Sequence, residues 1–148
     1  MRRLVFVAPF LLLTVASRLA AAPTIAGTWR NPQGSVDVAM APCGSRLCGT
    51  IVRASDRARD DAARGGTDRL VGTQLFRGLE ADGARHWSGE VFVPDIGQTV
   101  AGTLTQVDAG TIEVAGCVVP GLVCQTQVWT RVSRADGNDR GARRPSPY

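Results

Sequence analysis

The stretch Cys124-Gln-Thr-Gln-Val-Trp-Thr-Arg-Val132, close to the C-terminus, is predicted to form a β-strand around which the other strands assemble. On a β-strand, Trp129 and Arg131 point to the same side because successive side chains alternate between faces. Gly27-Thr28-Trp29 places a second tryptophan on another short strand. We predict that these two strands pair and close a barrel, with the Arg131 guanidinium stacked over the Trp29 indole and bonded to backbone carbonyls. Gly27, Trp29 and Arg131 are therefore structural candidates, and Arg30, on the opposite face, is expected to be solvated.

About eight short strands separated by turns account for most of the remaining chain, which indicates an all-β, antiparallel meander. A closed or nearly closed barrel removes the edges that such a sheet exposes. A barrel of this size leaves room for one small ligand at most. The predicted strands are Thr24–Arg30, Ser35–Ala41, Leu47–Ala54, Gln74–Leu79, His86–Val93, Gln98–Val107, Thr111–Val118 and Cys124–Val132.

One segment, Ser55–Leu70, interrupts the strand pattern. It is rich in Asp, Arg and Ala and shows no apolar periodicity of either the helical or the strand type. We predict an irregular loop with at most one helical turn, and no convincing helix anywhere in the chain.

The N-terminus has the three parts of a secretory signal peptide. Two arginines follow Met1, an apolar run extends from Leu4 to Ala16, and small residues precede Pro23. The run of about 13 residues is well short of the roughly 20 that span a bilayer, so no stable membrane span is expected. The predicted order is a signal peptide over residues 1–22, cleaved near Ala21 or Ala22, a barrel over 23–133 and a disordered basic tail over 134–148. The protein is then periplasmic or secreted.

The charge balance argues against nucleic-acid binding. The whole chain carries a net charge of +4, but three of its arginines lie in the predicted signal peptide. Four more arginines and two aspartates lie in the tail, which leaves ten arginines and eleven acids in residues 23–133. No basic face remains in the barrel to bind phosphates.

The four cysteines form two close pairs, Cys43 with Cys48 and Cys117 with Cys124. In an exported chain, an even number of cysteines at short spacings indicates disulfides. Three connectivities are open, and the local one is favoured because each pair brackets a turn. The second turn contains Pro120 and is expected to be wider than two residues, since proline cannot adopt the positive φ of a primed turn.

Five motifs carry a family resemblance: Gly27-Thr-Trp29, Pro42-Cys43-Gly-x-x-Leu47-Cys48-Gly49-x-Ile51-Val52, Trp87-Ser-Gly89, Pro94-x-x-Gly97, and Gly116-Cys117 with Cys124-x-x-x-x-Trp129-Thr-Arg131. Together they resemble the domain-of-unknown-function 2147 family of exported bacterial proteins, over about Ala26 to Val132. The resemblance implies a small lipocalin-like or calycin-like barrel with no established activity. One departure is that the long loop lacks the Asn-Pro-Asp segment usual in the family.

A second likeness covers about a quarter of the chain. Gly27-Thr-Trp-Arg-Asn31-x-x-Gly34-Ser35 and Trp87-Ser-Gly89 are similar to two strands of avidin-type biotin binders. The later tryptophans that line a biotin site have no counterpart between Gly97 and Cys124.

No catalytic constellation is predicted. His86, Ser88 and Glu90 share one face of one strand, where neighbours stand about 6–7 Å apart. A catalytic triad instead brings its groups to hydrogen-bond distance, usually from separate elements. The sequence also lacks a Gly-x-Ser-x-Gly elbow. We therefore interpret the three residues as a solvated outer face and expect no enzyme.

No metal or cofactor site is predicted either. Four acids of the long loop are interleaved with four arginines and lack the spacing of a calcium loop. One histidine and oxidised cysteines leave too few ligands for zinc. The acids are Asp56, Asp60, Asp61 and Asp68, and the arginines are Arg57, Arg59, Arg64 and Arg69.

The three tryptophans are the candidates for ligand contact. Trp29, Trp87 and Trp129 either pack the core of a small barrel or form an aromatic wall beside a ligand. The leading hypothesis is an exported barrel that binds a small apolar or amphipathic molecule. The alternative is a non-enzymatic protein-interaction module with a solid core, whose partner the sequence does not identify, motivated by the Ser55–Leu70 loop and the basic tail.

Overall fold

The computed structural model describes residues 24–119 and 122–133, so the predicted signal peptide and tail lie outside the described residues. Eight antiparallel strands each pair with the next, and the last strand pairs with the first, which confirms a closed barrel. The elements are β1 Gly27–Arg30, β2 Val36–Cys43, β3 Arg46–Ala54, α1 Asp56–Arg64, β4 Gln74–Gly83, β5 His86–Val93, β6 Gln98–Gln106, β7 Thr111–Val119 and β8 Val123–Arg131.

The barrel closes where Trp29 of β1 lies opposite Arg131 of β8. The guanidinium carbon of Arg131 is 4.2 Å from the centroid of the Trp29 ring, as the sequence predicts. All three guanidinium nitrogens donate to backbone carbonyls, which fixes the plane of the group over the indole. The acceptors are Ala109, Ala26 and Thr24, at 2.6, 2.9 and 2.6 Å from Nε, Nη1 and Nη2.

Gly27 makes room for this arrangement. Its φ of +133° lies in a region that side chains strongly disfavour, and a Cβ at this position would collide with Nη1 of Arg131. A glycine is therefore required here both by the backbone conformation and by the space that Arg131 occupies.

The solid core fills the half of the barrel nearest this closed end. Trp29 is fully buried, and its Nε1 donates to the Ile25 carbonyl at 2.9 Å. Toward the middle of the barrel, Phe76 meets Trp129 edge to face, with ring centroids 5.7 Å apart. The other large side chains with almost no exposure are Val38, Met40, Ile51, Leu79, Leu104 and Ile112.

The prediction of no helix was wrong, because α1 runs for nine residues inside the segment expected to be irregular. Ser55 caps its first turn by accepting a hydrogen bond from Ala58 N at 3.2 Å. The buried face consists of alanines, with Ala62 fully buried, so the usual signal of large apolar residues is missing. Within residues 24–119 and 122–133, no helix has the length and apolar character needed to cross a membrane.

Strand β4 is longer than predicted and continues past Leu79 to Gly83. Gly78 adopts a φ of +55°, and the pairing with β5 shifts register between Arg77 and Glu80. Gly78 therefore lies at a β-bulge within the strand.

An ionic cluster on three adjacent strands corrects the expectation that Arg30 is solvated. Arg30 of β1 and Arg53 of β3 flank Asp37 of β2, with Nε–Oδ distances of 2.8 and 2.6 Å. Asp37 is only 4% exposed. Burial by itself raises the pKa of Asp37, but hydrogen bonds and charges from Arg53 and Arg30 outweigh it and lower the pKa to about 2.

Both disulfides are local. Cys43 pairs with Cys48 at the closed end of the barrel, and Cys117 pairs with Cys124 at the other end. Strand pairing of β7 with β8 continues to Val119 and Val123, so the second turn is wider than two residues, as predicted.

Peptide mapping under non-reducing conditions checks this connectivity. We expect one cross-linked species that joins Cys43 to Cys48 and another that joins Cys117 to Cys124. A peptide that links a cysteine of one pair to a cysteine of the other contradicts the structure.

Candidate functional site

A cavity of about 940 Å³ opens at the end of the barrel opposite Arg131. Helix α1, the turns that follow β1 and β5, and the adjoining ends of β7 and β8 surround its mouth. Its floor is formed by Ile51, Phe76 and Trp129, so the barrel is solid below these residues and hollow above them. This volume lies within the range of about 300–1,000 Å³ that is typical of small-molecule sites.

The walls of the cavity are mainly aliphatic. Valines from five strands face inward because alternate residues of each strand point to the interior. Gly116 of β7 contributes no side chain, and a Cβ built there would lie 3.5 Å from Cγ2 of Val100, an ordinary contact. The valines that line the cavity are Val36, Val91, Val93, Val100, Val114, Val118 and Val123.

Two glutamines of β8, Gln125 and Gln127, interrupt this apolar lining. Gln127 lies opposite Val114 and directly above the floor. Its Oε1 accepts a hydrogen bond from Nε1 of Trp129 at 3.1 Å. Gln125 is two residues nearer the mouth and is exposed.

The charged residues that line the cavity lie at its mouth. Arg57 and Asp61 belong to α1, and Asp95 belongs to the turn after β5. Asp61 forms an ion pair with Arg64 and a longer one, of 3.9 Å, with Arg57. Burial raises the pKa of Asp95, the negative charge of Asp61 raises it further, and Arg64 opposes the shift. The mouth thus presents both signs of charge above neutral walls.

Apolar side chains also project around the mouth. Leu122, at the tip of the β7–β8 hairpin, is 82% exposed. Its apolar neighbours on this hairpin are about half exposed, as is Ile96 of the opposite turn, which also lines the cavity. We call these residues the apolar rim, and they are Ile96, Val118, Val119, Leu122 and Val123.

Comparison with known proteins identifies the family. A family described as "Uncharacterized protein conserved in bacteria (DUF2147)" matches residues 27–131, as the sequence motifs predict. The chain belongs to the DUF2147 family. No functionally curated protein matches the sequence.

A solved structure similar to this DUF2147 chain is protein HP1028 from the human pathogen Helicobacter pylori, described as belonging to the lipocalin family. The two share 15% sequence identity with a TM-score of 0.64, over 84% of this chain and 93% of that one. Since the identity is this low, the likeness establishes a lipocalin-like fold and nothing about a ligand.

Of the three tryptophans proposed for ligand contact, the structure brings one to the cavity of this DUF2147 member. Trp129 lies in the floor, whereas Trp29 is buried in the core below and Trp87 packs against that core. Sequence reasoning missed Gln125 and Gln127. The signal was present, because the spacing Gln125-x-Gln127-x-Trp129 places all three on one face of a strand.

The outer face of β5 does not form a catalytic triad. The carboxylate of Asp82 accepts hydrogen bonds from Ser88 Oγ at 2.7 Å and from Nδ1 of His86. The pKa of Asp82 is lowered chiefly by the hydrogen bond from Ser88 and, to a smaller extent, by that from His86. Because the acid lies between the serine and the histidine, the histidine has no hydrogen bond to the serine through which it would remove a proton.

The acids of the long loop are not assembled into a cation site. In the described ranges, no three His, Cys, Asp or Glu side chains come together in a group that could hold a metal ion. Asp61 is instead paired with the arginines of its own helix.

Proposed function

We propose that this protein is a non-enzymatic binding protein that holds one small apolar or amphipathic molecule in the barrel cavity. The observation that carries the proposal is the cavity of about 940 Å³, floored by Ile51, Phe76 and Trp129 and walled by valines. Removal of apolar ligand surface from water contributes about 25 cal/mol per Å². Every part of an apolar ligand that is buried against the wall therefore adds to its affinity. The apolar rim surrounds the entrance with side chains that are apolar, like those of the walls.

We further propose that it acts in the bacterial envelope. Its two disulfides favour an oxidising compartment outside the cytoplasm. The predicted signal peptide is consistent with that location.

Filling the cavity from within tests the proposal. Gly116→Phe adds an aromatic side chain at a position where a Cβ meets only ordinary contacts, so the strand tolerates it while the ring occupies the cavity. We expect the variant to lose at least about tenfold in affinity for N-phenyl-1-naphthylamine, a fluorescent apolar probe, because its apolar surface remains in water. Fluorescence titration measures the affinity.

The matched control is Glu113→Phe on the same strand. Glu113 is exposed and faces outward, so the same ring is added outside the barrel. The control is expected to bind the probe as the wild type does. The proposal fails if the wild-type protein does not bind the probe, or if both variants bind it equally well.

The alternative is a protein-interaction module, and the observation that favours it is the apolar rim. Exposed apolar patches on soluble domains often mark docking surfaces. Leu122→Asp separates the two functions, because Leu122 projects into solvent and does not line the cavity. A binding protein retains its affinity for the probe in this variant, whereas a docking module loses its partner.

A further inference from the structure

We infer that Gln127 is a hydrogen-bond donor to the buried end of the ligand, and that the ligand is an uncharged amphiphile bearing a carbonyl oxygen. This assignment rests on the proposed function and adds the class of ligand to it. Such a ligand has a ketone, ester or amide group at one end of an apolar chain, and this end enters the cavity first.

The orientation of the Gln127 amide follows from its neighbour. An indole N–H can only donate, so the group of Gln127 that faces Trp129 must be the oxygen. The amide nitrogen is then directed away from Trp129, on a side chain that lines the cavity. Among the described residues, no hydrogen bond from this nitrogen to a protein acceptor is formed, which leaves two N–H donors for a guest.

The depth of the site makes this donor selective. Gln127 lies immediately above the floor, opposite the buried Val114, so a guest that fills the cavity displaces water from this amide. A guest without an acceptor leaves a polar group dehydrated and unpaired, which is unfavourable. A guest with a carbonyl oxygen at that end restores the hydrogen bond.

The neutrality of the walls excludes a charged group at the same depth. Arg57, Asp61 and Asp95 are the charged residues of the cavity lining in the described part of the chain, and all three belong to the mouth. A carboxylate beside Gln127 would have no cation to compensate the loss of its hydration. The buried end of the ligand is therefore uncharged.

The test compares two probes of similar length, undecan-2-one and undecane, by displacement of N-phenyl-1-naphthylamine from the full-length protein. We expect the ketone to bind the wild type about fivefold more tightly than the alkane, the increment of one typical hydrogen bond. This ratio is measured on the wild type and does not depend on any variant folding. Equal affinities overturn the inference.

A substitution assigns the effect to Gln127. In Gln127→Glu, a carboxylate oxygen still accepts from Trp129 Nε1, but the side chain has no N–H donor at pH 8. The ketone-to-alkane ratio is expected to fall to about one. The matched control, Gln125→Glu, adds the same charge two residues nearer the mouth and is expected to keep the wild-type ratio.

The outcomes distinguish this inference from the proposed function. If the reporter itself does not bind the wild type, the cavity is not a binding site and both fail. If the reporter binds but neither probe displaces it, the binding function stands and the inferred ligand class is wrong. If both probes bind with equal affinity, the binding function stands and the role of Gln127 is wrong. A fivefold ratio that survives in Gln127→Glu also overturns the assignment, because another group then recognises the carbonyl.

Discussion

Asp37→Asn is expected to lower the free energy of unfolding at pH 7 by about 2–3 kcal/mol. The carboxylate is held between Arg30 and Arg53 by charged hydrogen bonds of 2.6–3.0 Å and is 4% exposed. Its pKa falls from 3.8 to about 2 on folding. At about 1.4 kcal/mol per pKa unit, that difference stabilises the folded state by about 2.5 kcal/mol. The amide removes this charge and leaves two arginines side by side.

The same shift predicts the pH dependence. A carboxyl whose pKa is lower in the folded state stabilises the protein above its unfolded pKa, near 3.8. That stabilisation is lost as the pH falls from about 4 to about 2. Urea unfolding at pH 7 and pH 2.5 should therefore show a difference between wild type and Asp37→Asn that is large at pH 7 and small at pH 2.5.

Asp68→Asn is the matched control for this experiment. Asp68 is exposed and lies in the segment between α1 and β4, so the same chemical change is made in water. It is expected to alter the free energy of unfolding by less than about 0.5 kcal/mol at pH 7. A similar loss in both variants would show that the ionic cluster contributes no specific stabilisation.

The barrel itself could be predicted because its determinants are local and repetitive. Alternating strands and turns rich in Gly and Pro are visible in residue order and type. The long-range stacking of Arg131 on Trp29 was predicted from the two motifs Gly27-Thr-Trp29 and Trp129-Thr-Arg131. Helix α1 was missed because alanines bury its face and a serine starts it. Neither residue type produces the apolar periodicity by which amphipathic helices are recognised.

The site was less predictable than the fold. Trp129 could be proposed for ligand contact from the sequence because it is a tryptophan. Gln127 could be proposed only from the structure, in which the hydrogen bond from Trp129 fixes the orientation of its amide. Likewise, the position of Arg30 on the strand could be predicted, but its ion pair could not. That ion pair depends on Asp37 of the neighbouring strand. Interactions between strands depend on register, and register follows from the assembled barrel rather than from any one segment.

Arg131→Lys is expected to lower the free energy of unfolding by about 2 kcal/mol. Each hydrogen bond from a charged donor contributes roughly 1.5–3 kcal/mol, and the guanidinium of Arg131 donates to three carbonyls at the closed end. A lysine keeps the charge and one or two of these bonds. It loses the planar geometry that reaches all three, and the flat surface that stacks on Trp29.

Thermal and urea unfolding measure the loss, which corresponds to several degrees in melting temperature for a domain of this size. Arg69→Lys is the matched control because Arg69 is exposed. Arg30 is unsuitable for this purpose, since it is paired with Asp37. If the two lysine variants unfold within about 0.5 kcal/mol of each other, closure by Arg131 does not stabilise the barrel. The solid core separates this end from the cavity, so Arg131→Lys should leave the affinity for N-phenyl-1-naphthylamine unchanged at temperatures where the variant is folded.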